Sequence, residues 1–380
     1  MNYFKILRFL QKGDKDYFGV DVKEERVFIN AFKEPTDDID RGYYQYLCQN
    51  YLVSYWKIVF LNAASLLILP LLLLFFLVKR IWVKSEGHID SLVENKGMPE
   101  VIPEVVNTKY KPDSNHWNNG SSLSVGDVCF IFKLINRAPF HPYFVLKAMM
   151  NITHYSDMIK RYSPKVMIQF GEFSFSSSIL TSYCHLYGVK HINIMHGEKM
   201  FFIRDAFFHY DECYVWSNHY VKIFHKLRAE SSQFVIQVPP SLVIDSNKYL
   251  NVQTWADYKY YLSIYTEDEI KGIVRSLEFI EKGGKTVKYR PHPRYSNLEL
   301  LKKYVPSENI ELPNEVSIQE SISNLNFAIG SFSTVLTQAY YSGKSVILDD
   351  MTYSNQFNKL AEMDYMLASV SGTFLLSSCQ

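Results

Sequence analysis

Short apolar runs alternate with helical segments through the second two thirds of this 380-residue chain. Helical stretches cover 143–160 and 176–188. The predicted strands lie within VCFIF (128–132), KVMIQF (165–170), HINIM (191–195), CYVWS (213–217), YYLSIYT (260–266), TVKYRPHP (286–293), NIEL (309–312), FAIGSFST (327–334) and SVILDD (345–350). Strands that alternate with helices of about ten residues imply parallel sheets. The sequence therefore predicts an α/β fold of two Rossmann-like units, at about 126–237 and 255–370, with a ligand cleft between the carboxyl ends of their strands.

Two helix starts in the second unit carry capping patterns. Thr266 and Glu269 form a capping-box pattern before a segment that stops at Gly283. Ser317 and Glu320 repeat the pattern before the next short helix. These signals predict helices that begin directly after Thr266 and Ser317.

The run from Ile58 to Val78 contains no charged residue. As a helix it would span about 30 Å, the thickness of a bilayer core. Aromatic and basic residues flank it as they do at a membrane interface, namely Trp56, Lys57, Lys79, Arg80, Trp82 and Lys84. The run predicts a membrane helix at 57–80, with a buried core helix or a re-entrant segment bent at Pro70 as the alternatives. The greater number of basic residues downstream predicts that the C-terminal part faces the cytoplasm.

Composition excludes several classes of protein and site. The formal net charge is +1, which gives no basic face for nucleic acid. Five cysteines with no C-x-x-C pair predict neither a disulfide framework nor a zinc site, and they fit a reducing compartment.

The segment Arg290-Pro291-His292-Pro293 follows an apolar strand, so it is predicted at a carboxyl end that faces the cleft. The two prolines restrict the backbone around His292. The planar guanidinium of Arg290 suits a phosphate, and a nearby histidine can protonate a departing phosphate. The alternative is a rigid turn with a solvated histidine.

Gly330-Ser331-Phe332-Ser333-Thr334 also follows a strand and begins a helix. Free N–H groups, the helix dipole and the hydroxyls of Ser331, Ser333 and Thr334 predict an anion site. Ordinary capping of the helix by Ser333 or Thr334 is compatible with that interpretation.

Three carboxylates are candidates for chemistry. Glu172 follows the strand at 165–170, where it could accept a proton from an attacking sugar hydroxyl, although such a residue is usually solvated or a cap. His196 and Glu198, after the next strand, offer a substrate contact or an alternative base. Glu320 could bind ribose hydroxyls or serve only in capping.

An acidic motif, a His-Pro pair and a Ser-x-Ser/Thr segment, in this order, resemble bacterial sialyltransferases with a GT-B fold, which act in surface polysaccharide or lipooligosaccharide synthesis. Here 120 residues separate Glu172 from His292, and 39 separate His292 from Ser331. The resemblance covers about 165–350. One departure is that the family's motif has two acids before a glycine, whereas this chain has Phe170-Gly171-Glu172, so Glu198 remains a rival base.

The resemblance implies a GT-B-like pair of Rossmann-type domains that transfers sialic acid from CMP-sialic acid with inversion. It implies Glu172 as general base and His292 as the proton donor to the CMP phosphate. Arg290, Pro293, Glu320, Ser331, Ser333 and Thr334 would bind the donor nucleotide. No cofactor or metal is expected. The implied acceptor is a lipid-diphosphate-linked oligosaccharide of O-antigen (lipopolysaccharide) or capsule assembly at the bacterial inner membrane.

The predicted organisation is an N-terminal region (1–56), the membrane helix (57–80), an acceptor domain (87–250) and a nucleotide-sugar donor domain (251–380). Kdo transferases of capsule assembly and polyol-phosphate transferases of teichoic acid assembly are similar over the same stretch. A non-catalytic membrane assembly protein is the third alternative.

Overall fold

The structure is a computed structural model that describes residue 15 and residues 17–94, 99–117 and 120–379. The chain forms two compact units. The first runs to His196 and resumes at Phe201–Gln237, and the second comprises Gly197–Met200 and Val238–Gln380. Each unit contains one parallel sheet of five strands flanked by helices. The pair of Rossmann-like units predicted from the strand–helix alternation is thereby confirmed, and the cleft between them stays a prediction.

The first unit is an α/β unit with additional helices at its N-terminal side. Its elements are α1 (Val22–Asn30), α2 (Asp38–Asn50), α3 (Tyr55–Lys79), β1 (Ser91–Val93), α4 (Glu104–Tyr110), α5 (Val125–Arg137), α6 (Pro142–Tyr162), β2 (Val166–Gln169), α7 (Ser176–His185), β3 (Lys190–Ile194), β4 (Glu212–Val215), α8 (Asn218–Lys226) and β5 (Phe234–Ile236). The order of strands is β1-β2-β3-β4-β5, so each strand lies beside the strand before it in the chain.

Two clusters of buried apolar residues, one larger than the other, contribute to the core of the first unit. Residues of α2, α5, α6 and α7 form the larger cluster, which includes Tyr46, Phe144 and Ile179. Val106 of α4 packs with strand residues such as Ile192 in the smaller cluster. Continuous burial along β2 explains why its first three residues, 166–168, are all apolar.

The predicted strand at 128–132 is wrong, because these residues lie inside the helix α5. Ser124 and Asp127 form a capping box that begins this helix. The apolar residues Phe130 and Leu134 are buried while Phe132 is exposed, which is the pattern of a helix face rather than of a buried strand. The edge strand beside β2 is instead β1, at 91–93.

The apolar run forms α3, which continues through Pro70 without a break. Together with one further turn it extends over Tyr55–Trp82 and has a mean hydropathy of 2.6 in its most apolar window. By length and composition it is the one helix of the described residues that could cross a membrane.

The second unit is also an α/β unit, and it contains the His292 and Ser331–Thr334 segments. Its elements are β6 (Ala256–Tyr261), α9 (Glu267–Lys282), β7 (Val287–Arg290), α10 (Leu298–Leu301), α11 (Ile318–Ser323), β8 (Leu325–Gly330), α12 (Thr334–Tyr341), β9 (Ser345–Leu348), α13 (Ser354–Glu362) and β10 (Thr373–Leu375). The order of strands is β10-β9-β8-β6-β7, with every pair parallel.

The helix starts of the second unit follow the sequence closely. Thr266 and Glu269 make both bonds of a capping box on α9, which ends at Gly283 as predicted. Ser317 caps α11 as predicted. The predicted strand at 309–312 is wrong, because these residues make only a single bridge, from Ile310 to Tyr289 of β7.

Candidate functional site

The carboxyl ends of β7, β6 and β8 lie side by side, with β6 in the middle. The chain passes from β6 to β7 on one side and returns to the other side of β6 as β8. The order of strands therefore reverses between β6 and β8, and open α/β sheets bind ligands outside the carboxyl ends of their strands at such a reversal. His292 follows β7 and Ser331 follows β8, on strands about 10 Å apart.

Hydrogen bonds hold the loop after β7 against the end of β6. The Ser296 hydroxyl accepts a bond from the His292 N–H at 2.8 Å. The same hydroxyl donates to the carbonyl of Ser263, just beyond β6, at 2.6 Å. The ring of Tyr295 stacks on the imidazole with centroids 4.5 Å apart. The imidazole of His292 is thus oriented by its neighbours while part of it stays exposed.

The hydrogen bonds of His292 indicate which nitrogen carries its proton. The Arg294 N–H donates to Nδ1 at 3.1 Å, which assigns the proton of the neutral ring to Nε2. Partial burial, and then the charge of Arg294, lower the pKa of His292. The ring is therefore neutral near pH 7, with an Nε2–H that no described residue accepts. A neutral imidazole donates a hydrogen bond to a phosphate far more readily than it releases a proton.

The guanidinium of Arg290 points into the unit instead of toward the edge. Its terminal nitrogens donate to Glu311 and to the carbonyl of Val316, both at 2.8 Å. Lys259 donates to the other oxygen of Glu311 at 2.5 Å, and all three charged side chains are buried. Arg290 thereby links residues 311–316 to β7. Because its guanidinium is directed inward, this arrangement does not support the predicted bond from Arg290 to a phosphate.

The end of β8 brings a glycine, three hydroxyls and a helix N-terminus together. A Cβ on Gly330 would lie 3.2 Å from the carbonyl oxygen of Tyr261, so a side chain there would press on β6. Ser333 caps α12, since its hydroxyl accepts from the Val335 N–H at 3.2 Å. The Ser331 and Thr334 hydroxyls bond to no described residue. Helix N-termini with open donors attract anions.

Glu198 belongs to the second unit and approaches the same helix. Gly197 has a φ of 72°, a left-handed conformation that glycine adopts without strain. The following Glu198 carboxylate accepts a bond from the Thr337 hydroxyl of α12 at 3.0 Å. Thr337 lies one helical turn beyond Thr334. The structure therefore brings the rival base close to the Ser/Thr motif.

Glu172, in contrast, is fully buried in the first unit. Its carboxylate accepts from the Asn193 side chain at 3.1 Å, and Asn193 also accepts from the Gly171 N–H at 2.8 Å. Gln45 of α2 donates to the Glu172 carbonyl at 2.9 Å. A carboxylate held inside such a network is not available to a sugar hydroxyl in this conformation.

The remaining predicted site residues are Glu320, His196 and Pro293. Glu320 accepts from Asn251 at 2.8 Å and from Thr254 at 3.1 Å, in the segment that leads into the amino end of β6. Its carboxylate therefore does not complete the predicted capping box. His196 is half-buried, with its ring edge-on to Phe170 at 5.7 Å. Pro293 is exposed in the loop after β7.

Sequence reasoning missed the residues that support the site. Ser296 holds His292, and a serine four residues after a histidine in a proline-rich loop was a weak local signal. Glu311 pairs with both Arg290 and Lys259, but only the fold reveals that pairing. In the described residues, no group of three His, Cys, Asp or Glu side chains could hold a metal ion.

Comparison with known proteins yields structural likenesses alone. No protein-family model and no curated protein matches the chain. UDP-N-acetylglucosamine 2-epimerase from Rickettsia bellii is 11% identical, with 70% of this chain and 78% of that chain covered and a TM-score of 0.38. The glycotransferase of kitacinnamycin is 9% identical, with 78% and 87% covered and a TM-score of 0.44. A wall teichoic acid polymerase is 10% identical, with 76% and 74% covered and a TM-score of 0.37.

Proposed function

We propose that this chain is a glycosyltransferase that binds the phosphate of a nucleotide-sugar donor at the carboxyl edge of its second sheet. The observation that carries the proposal is the pair of open donor groups on either side of β6. The Nε2–H of His292 lies on one side, and the N-terminus of α12 with the Ser331 and Thr334 hydroxyls lies on the other. A span of about 10 Å between the two strands suits the phosphate and sugar of a nucleotide.

His292 would act on the leaving nucleotide as a neutral hydrogen-bond donor. In the transfer, an acceptor hydroxyl attacks the anomeric carbon while the bond from that carbon to the phosphate oxygen breaks. The electron pair moves to the phosphate, whose charge the Nε2–H and the first turn of α12 would stabilise. The loop after β7 holds a neutral ring with its proton on Nε2, which supports hydrogen bonding to the phosphate more than full transfer of the proton.

Glu198 is the better supported general base of the two carboxylates. It lies beside α12, where its carboxylate already accepts from a hydroxyl, that of Thr337, at 3.0 Å. An acceptor hydroxyl would give its proton to Glu198 as it attacks the sugar. Glu172 is buried in the first unit, and this burial disfavours its assignment as the base.

The finer proposal is a sialyltransferase that uses CMP-sialic acid and a lipid-diphosphate-linked oligosaccharide of O-antigen or capsule assembly, without a metal. It rests on the resemblance of the His292 and Ser331–Thr334 motifs to those of bacterial sialyltransferases. The cytoplasmic face of the inner membrane is the location where such an acceptor would be met.

Transfer assays with several donors test both levels of the proposal. The full chain would be incubated with a lipid-diphosphate disaccharide and, in parallel, CMP-sialic acid, CMP-Kdo, CDP-glycerol or UDP-N-acetylglucosamine. Mass spectrometry of the acceptor should show sialylation with the first donor, unchanged by EDTA. Transfer from another donor would replace sialic acid but keep the glycosyltransferase or polyol-phosphate transferase class. Absence of transfer together with absence of nucleotide binding would refute the proposed function.

A further inference from the structure

The helix α3 has one face on the protein and the rest of its surface uncovered. Leu61, Ser65 and Phe76 are buried, and they recur at helical spacing on a single side. Four leucines beside them pack partly on the core, namely Leu69, Leu72, Leu73 and Leu77. On the other side lie large exposed apolar residues, namely Val59, Phe60, Leu66, Leu67, Ile68, Leu71, Leu74, Phe75 and Val78. Only 11% of the most apolar window is buried.

Contacts along its length attach α3 to the neighbouring helix α6. Near the start, Asn62 accepts a bond from the Tyr143 N–H at 3.2 Å. Just past the end, Arg80 donates to the carbonyl of Ser156 at 2.9 Å. Both helices advance in the same direction between these contacts, which are about 27 Å apart along α3. The helix therefore lies flat on the first unit over most of its length.

The chain after α3 adds further attachments. The Leu123 N–H donates to the Phe76 carbonyl at 3.0 Å. Lys79 donates to the Ser121 hydroxyl at 3.0 Å. Two basic residues expected to anchor a spanning helix at the membrane surface, Lys79 and Arg80, are thus bonded to the protein itself.

If α3 spanned the bilayer, the attached helix α6 would have to cross the bilayer as well. Between these contacts α6 carries Lys147, Asn151 and His154, and beyond them the buried Asp157 pairs with Arg161 before the chain enters β2. Charged groups are costly in hydrocarbon, and sheet edges are not tolerated there. The contacts of α3 with α6 are therefore incompatible with a helix that crosses the membrane alone.

We propose that α3 is an in-plane membrane anchor, with its inner face on α6 and its outer face in the lipid of one leaflet. Exposed aromatic residues at both ends suit the headgroup region, since Tyr55 and Trp56 precede the apolar face and Trp82 follows it. The exposed Lys84 adds a positive charge suited to anionic lipid. This inference concerns the first unit and does not depend on the proposed transferase activity.

A second element extends the same apolar surface. Phe140 is 87% exposed in the loop between α5 and α6. Three residues later, Tyr143 makes the bond to Asn62 that places this loop beside the first half of α3. The combination of an apolar strip, terminal aromatic rings and an adjacent exposed phenylalanine favours a lipid surface over a second copy of the chain.

Cysteine labelling from one side of the membrane decides between an in-plane and a spanning helix. In a Cys129→Ser/Cys379→Ser background, Ser54→Cys and Ser85→Cys would mark the two ends of α3, both exposed. An impermeant maleimide should label both positions in sealed inverted inner-membrane vesicles and neither in intact spheroplasts. Labelling of one position in each preparation would show a spanning helix and overturn the proposal.

Vesicle binding by the purified full chain tests whether lipid covers the outer face of α3. The chain should float with vesicles of phosphatidylethanolamine and phosphatidylglycerol. Leu71→Lys/Leu74→Lys should weaken binding at least about tenfold, because apolar burial drives it. The control Val27→Lys/Val252→Lys, which adds the same charges at exposed apolar positions elsewhere, should bind as the wild type does. A soluble dimer that ignores vesicles and dissociates in the Leu71/Leu74 variant would instead assign the face to a second copy.

Discussion

The two sheets are alike in size and strand direction, but their carboxyl edges differ. In the first unit the polar side chains at and near the edge are buried and bonded to one another, as Asn193 is to Glu172. In the second unit the buried ion pairs of Glu311 lie behind the edge, while His292, Ser331 and Thr334 keep donors open. Equivalent positions in two similar units thus serve internal stability in one unit and are available to a ligand in the other.

The order of strands accounts for the difference. The first sheet adds each strand beside the previous one, whereas the second reverses direction across β6. A reversal separates the loops that follow adjacent strands and leaves room between them. At that reversal Gly330 keeps β8 close to β6, and the loop of His292 is tied to Ser263. The second edge therefore combines a rigid frame with open donor groups, as a binding site requires.

The largest effect should come from the carboxylate beside α12. Glu198→Gln should lower the transfer rate by about 10²- to 10⁴-fold, the usual contribution of a general base. Glu172→Gln should leave the rate of the folded enzyme within about threefold of wild type, because that carboxylate is buried in the first unit. Steady-state transfer assays on both purified variants measure this. The reverse pattern would restore Glu172 as the base.

A buried amide of the first edge should affect stability and not nucleotide binding. Asn193→Leu removes the partners of the Gly171 N–H and of the Glu172 carboxylate, so we expect a loss of about 2–4 kcal/mol in the free energy of unfolding. Asn326→Leu, at an exposed position of β8, should change it by less than about 0.5 kcal/mol. Urea denaturation gives both values. Weaker CMP binding by folded Asn193→Leu would show that the edge of the first sheet also contributes to nucleotide binding, contrary to the proposed difference between the two edges.

The open histidine of the second edge should show the opposite behaviour. His292→Ala should reduce transfer by about 10- to 150-fold, the worth of one hydrogen bond to a charged group, with an unchanged unfolding free energy. His292→Gln should recover part of the rate, because its amide can still donate. If the glutamine variant is as slow as the alanine variant and activity follows a histidine titration, His292 transfers its proton after all.

A buried histidine, His191, should make the stability of the first unit depend on pH. Both ring nitrogens of His191 are hydrogen bonded, to Tyr155 and to Thr181. Burial, with the nearby His185 and His209, lowers the pKa of His191 to about 3. The unfolded chain takes up this proton near pH 6.5, so stability should fall as pH decreases from 6.5 toward 3, by up to about 1.4 kcal/mol per pH unit.

Urea midpoints measured across this pH range check the expectation. His191→Leu should reduce the slope, whereas His225→Gln, at an exposed position of α8, should leave it unchanged. Equal slopes in wild type and His191→Leu would show that other groups govern the acid sensitivity of the first unit.

Local signals in the sequence predicted much of the second unit and less of the first. Thr266 with Glu269 specified the start of α9, and the apolar runs located β2, β3, β8 and β9. The strand predicted within 260–266 shares only Tyr260 and Tyr261 with β6. The strand predicted at 128–132 was wrong because a run of five apolar residues fits a buried helix as well as a strand. The capping box at Ser124 favours the helix. The inward turn of Arg290 depends on Glu311, 21 residues later, and no local pattern encodes such a pairing.

The placement of the motifs was predictable only in part. That His292 and Ser331 follow strands could be inferred from apolar runs, but their positions on either side of β6 depend on the order of strands. The contact of Glu198 with Thr337 joins residues 139 positions apart. Contacts of that range arise from packing of whole elements, which a single sequence does not display.

Calorimetric titration of CMP into the full chain tests the central claim most directly. The double variant Ser331→Ala/Thr334→Val should bind CMP about 5- to 150-fold more weakly than wild type, since each hydroxyl contributes about 0.5–1.5 kcal/mol. Ser307→Ala, which alters an exposed hydroxyl elsewhere in the second unit, should bind CMP as wild type does. Undiminished CMP binding by the double variant would show that the nucleotide phosphate does not lie at the carboxyl edge of the second sheet.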